Sequence, residues 1–295
     1  MLKNDLLMLT DLTPEWFEQI VARSIMLKQH WEEREMPQTL KGLRVGIIED
    51  LPGWRNPTAL TLGVGQMGGD CVQVKTSLDG KETIEDLAGY MDNWFDLIAV
   101  RTPNLSSLQK FSEALVAPVI NLRTNDNHPC EILGDLAFVK YERGNLEGLR
   151  VVIVGPAGNI ARSWMEASTL LPIHVTHVAP KSLMFSDGIE GCQFSSTDDI
   201  SIIEEADLIV TYCLKANLSN QEKTKLDSLR IDARLLERCR SDVIFLPCPP
   251  VTRGEEVSSD AMGHPRCMSQ TAKGFLLHAQ NALVEAILCS APNQH

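Results

Sequence analysis

Apolar residues fall along this chain in two rhythms. Near the start the spacing is helical, and Phe17, Ile20, Val21, Leu27 and Trp31 share one broad face. Thr13 can cap that helix, Pro14 fits its first turn and Glu15 suits its positive end. Further on, short apolar runs alternate with helix-length stretches. Runs at residues 43–49, 71–76, 95–101 and 118–122 read as buried strands, and a second set follows at 149–155, 174–179, 207–213 and 242–248. Strands of this kind, rich in β-branched residues and separated by helices, predict parallel sheets built from βαβ units. The pattern predicts an α/β protein with two doubly wound parallel-sheet domains of four strands each. The polar stretch 140–147 could loop between them. A closing helix over 271–288, apolar at Phe275, Leu276, Ala279, Leu283 and Ile287, is expected to pack back on the first domain. The domains are therefore placed at 1–133 plus 271–295, and at 134–270.

Composition narrows the function classes. With 295 residues and 44% hydrophobic content, two real cores can be buried. The net charge of −12 and the lack of a basic run argue against nucleic-acid binding through phosphate contacts. Eight cysteines are scattered without a CxxC pair, so neither a structural zinc site nor any other metal site is expected. No apolar run of about 18 residues would span a membrane, and the polar N-terminus lacks a signal-peptide stretch. Reduced thiols in the cytoplasm are the simplest expectation.

Ligands of open α/β sheets bind beyond the carboxyl ends of the strands. After the first strand comes Gly53-Trp54-Arg55-Asn56, a tight loop feeding a helix start that could meet an anion. Taken alone it reads more simply as an ordinary loop with a surface arginine. The third strand, however, ends at Arg101, and the fourth is followed by His128. Two guanidiniums and an imidazole at equivalent exits of one sheet suggest a phosphate or carboxylate ligand. In the second half, Gly155 and Gly158 follow a strand but fall short of the full dinucleotide fingerprint, and no acidic residue stands at the next strand end. Glycines that permit close helix–strand packing are the preferred reading over a nicotinamide site, so no cofactor is expected.

Taken in order, these stretches resemble the aspartate/ornithine carbamoyltransferase family. His128-Pro129-Cys130-Glu131 with Leu133, Asp135 and Leu136 resembles its His-Pro-x-Gln…Leu-x-Asp-Leu signature. Residues 146–159, ending in Asn159, resemble the start of its second domain. Cys248-Pro249-Pro250 followed by Arg253-Gly254-Glu255-Glu256-Val257 resembles the ornithine branch, as does Leu277-His278-Ala279-Gln280. Ser77 and Lys81-Glu82-Thr83 resemble a loop that reaches a neighbouring subunit's site in that family. The resemblance implies a site for carbamoyl phosphate in the first domain and for an amino acid in the second, in a homotrimer or a multiple of trimers. By the same resemblance Arg55, Arg101 and His128 are the catalytic candidates. Gly53, Trp54, Asn56, Lys81, Glu131, Asn159, Cys248 and Pro249 are the candidates for substrate binding.

Several positions depart from the family pattern. The phosphate loop Ser-Thr-Arg-Thr-Arg becomes Gly53-Trp54-Arg55-Asn56-Pro57, so two hydroxyls and the second arginine are gone. The Gln of the His-Pro signature is Glu131, whose charge sits badly beside phosphate. The acceptor stretch of either branch is missing near residues 212–216, the branch's His is Pro247, and an Arg is Leu276. Trp54 either stacks on a flat ligand or plugs the pocket, and Cys248 either lies by the substrate or is a buried inert thiol. The expectation is a carbamoyltransferase whose acceptor amine is neither clearly ornithine nor clearly aspartate. The alternatives are a catalytically silent paralogue serving as a binding or regulatory subunit, and an enzyme of the same scaffold using another phosphorylated or polar ligand.

Overall fold

The structure is a computed structural model that describes residues 4–213 and 218–289. The chain forms two compact units, one running to Glu142 and resuming at Lys273, the other spanning Arg143–Ala272. The first cut lies beyond the boundary expected after residue 133. The physical reason is that the helix Pro129–Arg143 (α5) is continuous through that point.

The first unit holds four parallel strands, β1 (Arg44–Glu49), β2 (Asp70–Val74), β3 (Leu97–Arg101) and β4 (Val119–Arg123), in the order β2-β1-β3-β4. Helices α1 (Pro14–Glu33), α2 (Arg55–Gln66), α3 (Ile84–Met91), α4 (Leu105–Ala114), α5 and α10 (Ser269–Cys289) accompany them. β3 is buried at every position, as expected of a central parallel strand. β2 departs from its expectation of burial. It is an edge strand, and Asp70, Val72 and Gln73 are exposed. Beneath the sheet, Ile48, Ile98, Val100 and Val119 pack with Leu87, Met91, Leu108 and Phe111 of α3 and α4. Each such side chain contributes about 1.5–3 kcal/mol by leaving water.

α1 begins as the sequence predicts, with the Thr13 hydroxyl accepting from the Trp16 amide at 3.2 Å. The closing helix α10 does pack on the first unit, and its five predicted apolar residues are all buried. Contact is close because α5 presents Gly134, where a Cβ would stand 3.1 Å from the Leu276 Cα. Arg23 of α1 meets Glu285 of α10 in a two-pronged ion pair. α5 is buried continuously from Pro129 to Val139, so its polar residues Glu131 and Asp135 lie inside the protein.

The second unit has β5 (Arg150–Val154), β6 (His174–Val178), β7 (Phe194–Thr197), β8 (Leu208–Thr211) and β9 (Ile244–Pro247), all parallel, in the order β7-β6-β5-β8-β9. Its helices are α6 (Asn159–Leu170), α7 (Asn220–Asp227), α8 (Ala233–Arg238) and α9 (Ser259–Met262). The fifth strand, β7, was not expected. It is a short edge strand of one aromatic and three small polar residues, too polar to register as an apolar run. In both sheets the strand order reverses between two central strands, β1 and β3 or β5 and β8, which opens a crevice at their carboxyl ends. Among the described residues no helix is long and apolar enough to cross a membrane.

Candidate active site

The crevice of the first unit collects most of the predicted residues. Arg101 ends β3 and pairs in register with Glu49, the last residue of β1. Its guanidinium turns under the loop after β1, donating from Nε to the Leu51 carbonyl at 3.0 Å and from Nη2 to the Pro52 carbonyl at 2.7 Å. Gly53 completes that turn at φ +154°, and a Cβ there would stand 2.2 Å from the Arg101 Nη2. Only glycine combines that backbone with that contact. Burial draws the Arg101 pKa down to about 10, with the charge of Arg123 adding to the effect.

The loop feeds α2, whose first turn carries Arg55, Asn56 and Pro57. Trp54 is 67% exposed, and the Arg55 guanidinium lies 5.0 Å from its ring centroid. Trp54 therefore covers Arg55 rather than plugging a pocket. Pro57 removes one of the amides that a helix start can offer an anion, leaving those of Arg55 and Asn56. Asn56 points inward. Its Nδ2 donates to Glu131 Oε2 at 3.3 Å, and its Oδ1 accepts from Gln280 Nε2 at 2.8 Å.

His128 sits just before α5, buried, with Nε2 4.0 Å from Glu131 Oε2. Burial pulls its pKa down to about 3, so the ring is neutral at pH 7. A neutral imidazole offers a hydrogen-bonding dipole rather than a charge.

Glu131 is resolved by a partner that sequence reading missed. Lys273, near the start of α10, places Nζ 2.7 Å from Glu131 Oε1 and 2.7 Å from Asp135 Oδ1. Burial alone would raise the Glu131 pKa. The ammonium beside it overrides burial and holds the carboxyl well below its usual range. Asp135 shares the same cation less favourably, and burial pushes its pKa up to about 6. One chain of contacts thus runs Gln280–Asn56–Glu131–Lys273–Asp135, joining α2, α5 and α10 behind the anion loop. Arg123, at the end of β4, is a second residue that the sequence reading did not single out.

Lys81 is exposed on the loop after β2. That loop is fastened by Ser77 Oγ donating to Asp50 Oδ2 at 2.6 Å, and by Asn104 and Ser107 donating to the Asp79 carboxylate at 2.7 Å each.

The remaining predicted residues belong to the second unit. Asn159 opens α6 and is buried. Cys248 follows β9, also buried, and Pro249 beside it is half-buried. The glycines after β5 do serve packing. A Cβ on Gly158 would stand 2.6 Å from the Tyr212 ring, and one on Gly155 3.0 Å from the Tyr212 carbonyl. The space that a dinucleotide fingerprint keeps open for phosphate is taken here by tyrosine. Of the stretch expected to carry acceptor residues, Leu214, Lys215 and Ala216 lie outside the described residues. Among the described residues no group of three or more His, Cys, Asp or Glu could hold a metal ion.

Taken together, the first unit offers a helix start, two arginines, a neutral imidazole and two side chains with amide or carboxylate oxygens around one crevice. Such a set can bind an anion and stabilise an oxyanion beside it. Comparison with known proteins agrees. The family model described as aspartate/ornithine carbamoyltransferase, carbamoyl-P binding domain, matches residues 4–141. The one described as aspartate/ornithine carbamoyltransferase, Asp/Orn binding domain, matches residues 147–287. The chain is 29% identical to an ornithine carbamoyltransferase of Acinetobacter baylyi over 96% of each chain. It is 29% identical to one of Syntrophus aciditrophicus over 97% of this chain and 100% of the other. Among solved structures, the ornithine carbamoyltransferase of Pyrococcus furiosus superposes with a TM-score of 0.91 at 25% identity, covering 99% of each chain. That of Burkholderia thailandensis gives 0.90 at 27% identity, covering 97% of this chain and 98% of the other.

Proposed function

The chain belongs to the aspartate/ornithine carbamoyltransferase family, and from that premise we propose that it moves a carbamoyl group from carbamoyl phosphate to the amine of an amino-acid-like acceptor. The observation that carries the reading is the meeting of Arg101, Asn56, His128 and Glu131 at the carboxyl edge of the first sheet. In this proposal the first unit binds carbamoyl phosphate and the second, with Asn159, Cys248 and Pro249 at its strand exits, binds the acceptor.

The amine attacks the carbamoyl carbon, a C–N bond forms, the C–O bond to phosphate breaks, and the amine's proton leaves with the phosphate. Negative charge grows on the carbonyl oxygen, where neutral His128, Arg101 and the Asn56 amide act as donors. The departing phosphate meets the amides of Arg55 and Asn56 and the Arg55 guanidinium. Glu131 keeps lone pairs free beside Asn56, and these can accept from the carbamoyl NH2. Position and electrostatics do the work.

The acceptor is proposed to be neither clearly ornithine nor clearly aspartate, because Pro247, Leu276 and the region around Tyr212 depart from the branch patterns. We further propose a homotrimer, or a multiple of trimers, in which the exposed Lys81 reaches a neighbour's phosphate. A cytoplasmic setting is proposed as well, in keeping with eight scattered cysteines of which none forms a CxxC pair. The test is phosphate release from carbamoyl phosphate across a panel of amines that includes ornithine and aspartate, with the ureido product measured directly. Turnover with one amine, lost in Arg101→Ala, supports the transfer reading and silence across the panel overturns it, while turnover with ornithine or aspartate overturns the acceptor reading. Mixing Lys81→Ala with Arg101→Ala subunits should restore part of the activity if sites are shared.

A further inference from the structure

Resting on the carbamoyl-transfer reading, we infer that Arg123 binds the ligand's phosphate, taking the place of the second loop arginine that is Pro57 here. Strand register puts Arg123 beside Arg101. β3 and β4 pair as Ile98–Val119, Ala99–Ile120 and Val100–Asn121, and then the register shifts. Arg101 consequently stands opposite Arg123, while Leu122 is skipped and buried in the core. The shift is held by the Thr102 amide, which donates to the Arg123 carbonyl at 3.1 Å. A one-residue slip in a parallel pair changes which side chain faces its neighbour. Here it trades an aliphatic residue for a guanidinium beside the anion loop.

Two arginines side by side repel, and the repulsion is recorded on the neighbours. Arg123 lowers the proton affinity of both Arg101 and His128, which places its charge within reach of the two. Among the described residues neither Arg101 nor Arg123 has a carboxylate within ion-pair distance. Glu49 and Glu131 act on Arg101 only from beyond that distance, and Glu131 is already matched by Lys273. Folding gains little from a half-buried like-charge pair that no acid contacts directly. Such a pair gains its counter-charge where an anionic ligand completes the set. A phosphoryl group fits, because its oxygens match guanidinium forks.

The test is calorimetric titration of the full-length protein with carbamoyl phosphate and, separately, with inorganic phosphate. Wild type is compared with Arg123→Gln, which keeps most of the stem, and Arg123→Lys, which keeps the charge. Loss of one charge-assisted phosphate contact should weaken binding of both ligands roughly ten- to a hundredfold in Arg123→Gln, with partial recovery in Arg123→Lys. The melting midpoint without ligand should not fall in Arg123→Gln, since a repulsion is removed. Unchanged affinity in Arg123→Gln overturns the inference, as does a lowered midpoint with unchanged affinity. The two readings fail separately. If wild type binds phosphate but not carbamoyl phosphate, and Arg123→Gln loses the phosphate, the transfer reading falls and Arg123 stands. If wild type binds neither ligand, both fall.

Discussion

Replacing Lys273 by Met removes the ammonium that stands between two carboxylates of which only 4% (Glu131) and 2% (Asp135) of the surface is exposed. Volume is nearly conserved, so the cost is electrostatic. Breaking a buried pair while its partner remains costs about 3–5 kcal/mol, and in a unit of this size that lowers Tm by about 10 °C. The burden falls on Glu131. Asp135 already titrates near 6 and can take up a proton cheaply, whereas Glu131 is held as an anion by the lost partner. In the variant both carboxyls should have folded-state pKa values above their unfolded values. The stability such groups contribute is present at low pH and lost as pH rises, so the deficit against wild type should be large at pH 7.5 and shrink towards pH 5. The neutral triple variant E131Q/D135N/K273M should recover most of the loss, because it leaves hydrogen-bonding groups without unpaired charge. Urea unfolding of the three proteins at both pH values reads all of this. A single variant within about 1 kcal/mol of wild type at pH 7.5, or a triple variant no better than the single, would refute the reasoning.

Gly53→Ala would drive a methyl into the Arg101 guanidinium at a φ that alanine resists; carbamoyl phosphate affinity should fall at least about tenfold, checked by titration. His128→Ala should lower kcat about 10²–10³-fold, as loss of one oxyanion donor does. The wild-type rate profile should show no histidine limb between pH 5 and 8, because burial keeps His128 neutral there. Asp135→Asn should flatten the pH dependence of stability. The Asp135 carboxyl contributes stability below its unfolded pKa, and wild type loses that contribution as pH rises through about 6; pH-resolved thermal melts would show whether the variant keeps it.

Much of this was legible in the chain. Buried parallel strands announce themselves as apolar runs, and α10 showed its face through Phe275, Leu276, Ala279, Leu283 and Ile287. The two surprises are edge strands: β2 showed its apolar run but is more exposed than expected, and β7 is too polar to show one. Topology explains why Arg101, His128 and Asn56 met, since strand exits of one open sheet must lie near each other. Lys273 and Arg123 were missed, and Gln280, though part of the closing-helix motif, was not placed in the site. Two of these left a trace. Glu131 and Asp135 stand four apart in an apolar helix, a like-charge spacing that is unfavourable unless a cation intervenes. Lys273 and Gln280 stand seven apart, so they share a face of α10. Arg123 left none, because nothing local in sequence foretells the shift in register that exposes it beside Arg101.

The return of α10 to the first unit also sets an order of events during synthesis. Glu131 and Asp135 leave the ribosome on the order of ten seconds before Lys273 does, and the whole second unit is made in between. That unit is continuous in sequence and can fold as soon as it emerges. The first cannot close around its carboxylates until the last stretch of chain arrives with the counter-charge. A nascent or truncated product ending before residue 273 would carry two acids that favour staying wet over entering a core. Such a chain would hold open a helix that is buried in the complete protein.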